Sequence, residues 1–292
     1  YSDSTSIESL IAELSLASAY PIGVEGNSIF RATACMQALA YRTSKMQKHE
    51  LKEMAYVMGP LLGLLVLDIK HPIAAKAAFG IRTLVPSKMC LNRFVVCDGF
   101  RIMGKVLDML LVGSVNLYVL SDTRTIGESL ATVYREAARY FDASIVAVGA
   151  LRHCVRMLNM GDTTIRGISA SVLAILSNNE SIVLQMFSYG AIAPILQISR
   201  LDATEPEMLA GLGCMVQLAR IPDIANRVAR QGAIPLLQGS LHMMTSRTPG
   251  VAASVRNKAL LCLAWLSKVE SVRHQLASEQ IFLGMERELK TD

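Results

Sequence analysis

The sequence predicts an all-α protein built from repeated helical units stacked one on the next. Three observations carry this. The 292 residues are 52% hydrophobic but only 5% aromatic, a mix that favours helices packed on helices over a β-sandwich. A glycine followed by a small residue and aliphatics recurs, as GALRHCV at Gly149, GAIAPIL at Gly190 and GAIPLL at Gly232. Behind each glycine, apolar residues follow at helical spacing. A catalytic loop normally occurs once, whereas a structural unit recurs.

The elements follow in order. Residues 1–28 contain a capping helix, Ile7–Leu16, and residues 29–58 form a partial unit with helices at Ile29–Leu39 and Leu51–Met58. Gly59-Pro60 opens a repeat over 59–98, and Gly99, behind the short helix Arg93–Cys97, opens another over 99–148. The repeat over 149–189 reads as helices Leu151–Leu158, Ile165–Leu176 and Ile182–Phe187. That over 190–231 has Ala191–Ile198, Met208–Leu218 and Ala225–Ala229, and that over 232–279 has Ile234–Leu241, Val255–Leu266 and Val272–Leu276. Residues 280–292 begin one more helix, Ile281–Leu289. In this grammar the glycine takes the left-handed conformation that ends a short helix. Pro194 and Pro235 sit in a first turn, where amides lack intrahelical partners anyway. Stacking is required because one three-helix unit leaves an apolar face uncovered.

Composition excludes several classes. The formal charge of +5 is scattered, and the short cluster Arg42, Lys45, Lys48 and Lys52 is interleaved with Glu50 and Glu53, so no nucleic-acid-binding stripe is present. Six cysteines, at 35, 90, 97, 154, 214 and 262, stand singly on apolar stretches with no histidine at ligand spacing. They read as core residues in a reducing compartment, and neither metal nor cofactor is expected. The longest apolar run, 54–67, is interrupted by Gly59-Pro60 and is too short to span a bilayer. The first thirty residues hold four acids and no Lys or Arg, unlike a signal or transit peptide. With Tyr1 in first place, the chain reads as a fragment or processed form.

The period and the GAIPxL turn resemble the armadillo repeat. VRNKALLCLAWLS (Val255–Ser267) is similar to that family's third helix, and VRHQLASE (Val272–Glu279) to the first helix that follows it. HEAT repeats also stack helix pairs but lack this turn. The resemblance implies a single right-handed α-solenoid over residues 1–292 whose third helices line a concave groove. Importin-alpha-type members grip extended basic peptides there through recurring Trp and Asn side chains. Aligned on the third helices, the Asn position holds Ala38, Arg82, Tyr134, Ile175, Gln217 and Trp265, and the Trp position holds Ala34, Ala78, Leu130, Ser171, Gly213 and Leu261. Both ladders are missing, so a basic peptide is not the expected partner.

The groove row left by that alignment, with Arg82, Tyr134, Gln217 and Trp265 as candidates, is mixed and partly apolar, suited to an amphipathic or apolar partner segment. Trp265 is the only Trp and a candidate hot spot, or else packs between repeats. Arg82 is a candidate carboxylate anchor, or else a solvated side chain at a helix end. Two inserts, at 113–125 and 242–253, lengthen their repeats; Met243, Met244 and Arg247 in the second are candidates for rim contacts. No nucleophile motif, P-loop or HExxH is present, and His153 beside Cys154 is poorly placed as a base, since adjacent helix positions point about 100° apart. The expected function is a non-catalytic adaptor holding a protein partner, with a cytoplasmic location. The alternative is an accessory subunit embedded in a large axonemal or mitochondrial assembly, including peripheral attachment to a membrane complex.

Overall fold

The computed structural model describes residues 55–67, 72–112, 121–141, 143–160, 162–200, 202–241 and 249–278, together with Ala12 and Leu16. Every regular element among them is helical. A 3-10 turn, Ala55–Val57, leads into α1 (Met58–Leu67), followed by α2 (Pro72–Leu84), α3 (Lys88–Val96), α4 (Gly99–Val112), α5 (Ser121–Tyr140) and α6 (Ala143–Met160). Then come α7 (Thr163–Leu176), α8 (Glu180–Ser188), α9 (Ile192–Ile198), α10 (Glu205–Leu218), α11 (Pro222–Val228), α12 (Ile234–Leu241), α13 (Pro249–Leu266) and α14 (Glu270–Ser278). The chain divides into two compact units, Tyr1–His153 with Met160–Ile165, and Cys154–Asn159 with Arg166–Asp292.

In the first unit, α1 is apolar nearly all round, and Leu61, Leu62, Leu64 and Leu65 are buried. Such a helix must be covered by neighbours, and α2 and α4 pack on it while α5 packs on α2. The α3–α4 turn departs from the glycine expectation. Asp98, not Gly99, takes the left-handed conformation at φ 58°, and its carboxylate accepts from Arg101. Asp reaches this region because its short polar side chain bonds locally. Gly99 serves close approach instead, since a Cβ there would lie 2.6 Å from the Phe94 ring.

In the second unit the motif works as expected at two sites. Behind α8, the Gly190 amide donates to Phe187 O at 3.0 Å and the Ala191 amide to Met186 O at 3.1 Å. This paired closure satisfies carbonyls the helix end would strand, and it requires the positive φ of 76° at Gly190. Gly232, at φ 96°, makes the corresponding break before α12. Thr204 and Glu207 form a reciprocal cap on α10, with Pro206 in its first turn. α10 is the centre of the unit, packing on α9, α13 and α8, while α13 also packs on α12 and α11. Gly211 brings α10 close to α9, where a Cβ would lie 2.2 Å from Ser199 Oγ.

Two expectations are corrected. Gly149 opens no turn: α6 runs continuously from Ala143 to Met160 across it, because the next residues, ALRHCV, continue the helix without a break. The inserts are not wholly loops, since α5 extends to 20 residues and α13 to 18, taking Ser121–Thr125 and Pro249–Ala253 into their first turns. The rim candidates Met243, Met244 and Arg247 lie outside the described residues, as do 1–28 apart from Ala12 and Leu16, 29–54 and 279–292.

Candidate functional site

The third helices of the second unit, α7, α10 and α13, each end in an apolar run followed by polar residues. That pattern leaves their C-terminal turns at the surface. Gln217 and Trp265, both sequence candidates, are half-exposed there and line one recess of about 200 Å³. Ile175, the α7 member of the same row, is half-exposed on its helix. The recess is walled by Asn178, Glu180, Val183 and Arg220 as well.

A polar chain fixes its floor. Arg220 Nη1 donates to Gln217 Oε1 at 2.9 Å, Gln217 Nε2 to Asn178 Oδ1 at 3.4 Å, and Asn178 Nδ2 to Ile175 O at 3.0 Å. Trp265 carries cations of its own chain: Lys268 Nζ lies 3.6 Å and Arg220 Cζ 5.7 Å from the ring centroid. These positions stabilise the ring electrostatically, and they occupy the surface on which an incoming basic side chain would otherwise stack. Asn178, Arg220 and Lys268 were missed by the sequence reading. Each lies three residues beyond the row of Ile175, Gln217 and Trp265, and residues so spaced on helices are surface neighbours. Extending the same alignment by three positions finds them.

The two candidates in the first unit have different roles. Arg82 Nη1 donates to Glu128 Oε1 at 2.6 Å, tying the end of α2 to α5. It is a carboxylate anchor, but the carboxylate belongs to this chain. Tyr134 is 1% exposed, which removes it from any binding row. Its ring is stacked with Phe100 and with His153, both at 6.2 Å between centroids, and its hydroxyl lies 3.0 Å from His153 Nδ1. The middle of α5 is buried without a break from Ser129 to Tyr134, so Tyr134 lies in the core with Leu130 and Ala137, a placement the alignment of helix ends did not reveal.

Burial and pairing govern the titratable groups described in the interior. Both ring nitrogens of His153 are engaged, Nδ1 by Tyr134 and Nε2 by Asp108 Oδ1 at 3.3 Å. Burial pulls its pKa down, outweighing the opposite pull of Asp108. Burial likewise pushes the Cys154 thiol far up and those of Cys214 and Cys262 up to about 12, so they stay protonated and are poor nucleophiles. Among the described residues no cluster of His, Cys, Asp and Glu is arranged to hold a metal ion, and no single helix is long and apolar enough to cross a membrane.

No protein-family model and no curated protein matches the sequence. Solved structures do share the fold. A designed armadillo repeat protein superposes with a TM-score of 0.67 at 14% identity, covering 89% of this chain and 100% of its own. A computationally designed armadillo repeat protein for modular peptide recognition gives 0.69 at 14% identity, with 88% and 99% covered. A designed armadillo repeat protein in complex with the peptide (KR)4 gives 0.66 at 13% identity, with 90% and 100% covered. The chain is thus an all-α, armadillo-like solenoid, as the repeat period implied. Likeness at this level of identity carries the fold alone.

Proposed function

We propose that the chain is a non-catalytic scaffold that holds a segment of a partner protein against the third helices of its second unit, with Trp265 and Gln217 as anchors. The observation that carries this reading is the recess that unites those two residues with Asn178 and Arg220. A half-exposed aromatic beside a pre-ordered polar chain is the composition of an interface centre. Armadillo-like designs that recognise peptides support the same use of the fold. The (KR)4 peptide bound by one of them is a poor guide to the ligand here, because both ladders for basic peptides are absent and cations already flank Trp265. The test is binding by the full chain to partners recovered from native material. Trp265→Ala with Gln217→Ala should weaken binding at least about tenfold with helix content unchanged. Unchanged binding would reject the site.

A second reading, an accessory subunit held permanently in a large assembly, draws on the first unit. There Val96 is 72% exposed and Tyr56 56%, with Met89 also exposed on α3, apolar side chains that a permanent neighbour would cover. Sedimentation of the purified chain separates the two: a soluble monomer favours the adaptor, self-association the embedded subunit. A cytoplasmic location goes with the first reading and a mitochondrial or ciliary one with the second.

A further inference from the structure

We infer that the segment held by the second unit is an acidic peptide, with one of its carboxylates seated on Lys258 above Gly213; this rests on the binding reading just given. Gly213 stands four residues before Gln217 on α10, one helical turn below the recess. Because it has no side chain, the surface of α10 is bare there. A Cβ at Gly213 would lie 3.7 Å from Lys258 Nζ and 3.6 Å from Ala174 Cβ. The ammonium of α13 is therefore laid back across α10 toward α7, over backbone and small side chains.

Lys258 is half-buried, and no carboxylate among the described residues lies within ion-pair distance of it. A partly desolvated ammonium without a counter-charge is unfavourable, and an incoming carboxylate offsets that cost. The surroundings have the same sign. Arg220 and Lys268 flank Trp265, and Glu180 is the one acid among the described residues of the recess wall. Glu207, on the same helix as Gly213, is fully buried and spoken for by Arg166 and Thr204. Lys and Arg outnumber Asp and Glu among the described residues of this unit. Such a field attracts acidic segments and repels basic ones. The apolar half of the site, Trp265 with the exposed Leu261, asks for an aliphatic or aromatic residue near the acid.

The experiment pans a random dodecapeptide display library against the full chain and then titrates the enriched peptides by fluorescence of Trp265, the sole Trp. Lys258→Gln and Lys258→Arg serve as variants, with circular dichroism to confirm folding. The expected result is enrichment of acidic peptides that shift Trp265 emission and bind more weakly as salt rises. They should bind about tenfold more weakly to Lys258→Gln and nearly normally to Lys258→Arg. Acidic peptides that bind Lys258→Gln as tightly overturn the inference. So does enrichment of neutral or basic peptides that still shift Trp265 emission, an outcome that leaves the binding reading standing. Tighter, Lys258-dependent binding of a single-stranded oligonucleotide also overturns it. If no peptide shifts Trp265 emission, the inference and the binding reading fall together.

Discussion

Arg82 and Glu128 are 46 residues apart in sequence and joined at 2.6 Å, the guanidinium of α2 on the carboxylate of α5. Each side chain keeps part of its surface in water, 34% and 23%, so solvent screening holds the pair to about 1 kcal/mol or less. Arg82→Glu sets two carboxylates against each other and should lower stability by about 1 kcal/mol while leaving partner binding unchanged. Adding Glu128→Arg should restore most of the loss. Urea melts of the single and double variants check this; no recovery in the double variant would show that the pair is incidental.

The glycines of the repeated motif should respond with opposite signs. At Gly190 and Gly232 the positive φ penalises any Cβ even though nothing lies within 4 Å of it, so alanine should cost about 1 kcal/mol at each. At Gly149, inside α6, a Cβ would make ordinary contact with Tyr134 Oη at 3.5 Å. Alanine there should stabilise by about 0.5 kcal/mol through helix propensity. Equal losses at all three positions would restore the turn that the sequence suggested at Gly149.

Glu207 holds a buried carboxylate between α7 and the start of α10. It is 0% exposed, accepts from Arg166 Nε at 2.8 Å, and takes the amide and hydroxyl of Thr204 at 3.0 and 2.7 Å. Glu207→Ala strands Arg166 and uncaps α10, and should cost about 3 kcal/mol. Replacing both partners, Glu207→Leu with Arg166→Met, removes the stranded charge and should recover a substantial part of it. Thermal denaturation of the three proteins decides the matter.

What the sequence revealed and what it hid have separate physical origins. Helical runs such as Ile234–Leu241, and the turns at Gly190 and Gly232, depend on local periodicity and backbone freedom, which a linear pattern contains. The sequence hid the contacts that packing brings near: Tyr134 is buried against His153 and Phe100, and Arg82 pairs with Glu128. The row of Asn178, Arg220 and Lys268 was legible in principle. Its residues lie three positions beyond those of the Trp and Asn clamp on which the helix ends align, in the turns that follow the helices.

His153 makes stability depend on pH with a definite sign. The imidazole on α6 faces Tyr134 of α5 and Asp108 of α4, with Arg152 beside Asp108 at 3.9 Å. Burial is the larger influence and lowers its pKa from the ordinary 6.5. The unfolded chain therefore takes up the proton at a higher pH than the native protein does, and stability rises with pH across the interval between the two values. The contribution is fully present above about pH 6.5 and is lost as pH falls through the depressed native value. Unfolding midpoints measured between pH 7 and pH 5, about the span over which an ordinary imidazole titrates, should fall in the parent. In His153→Phe, which cannot titrate, the dependence should be shallower. An equal slope in that variant would assign the acid sensitivity to other groups.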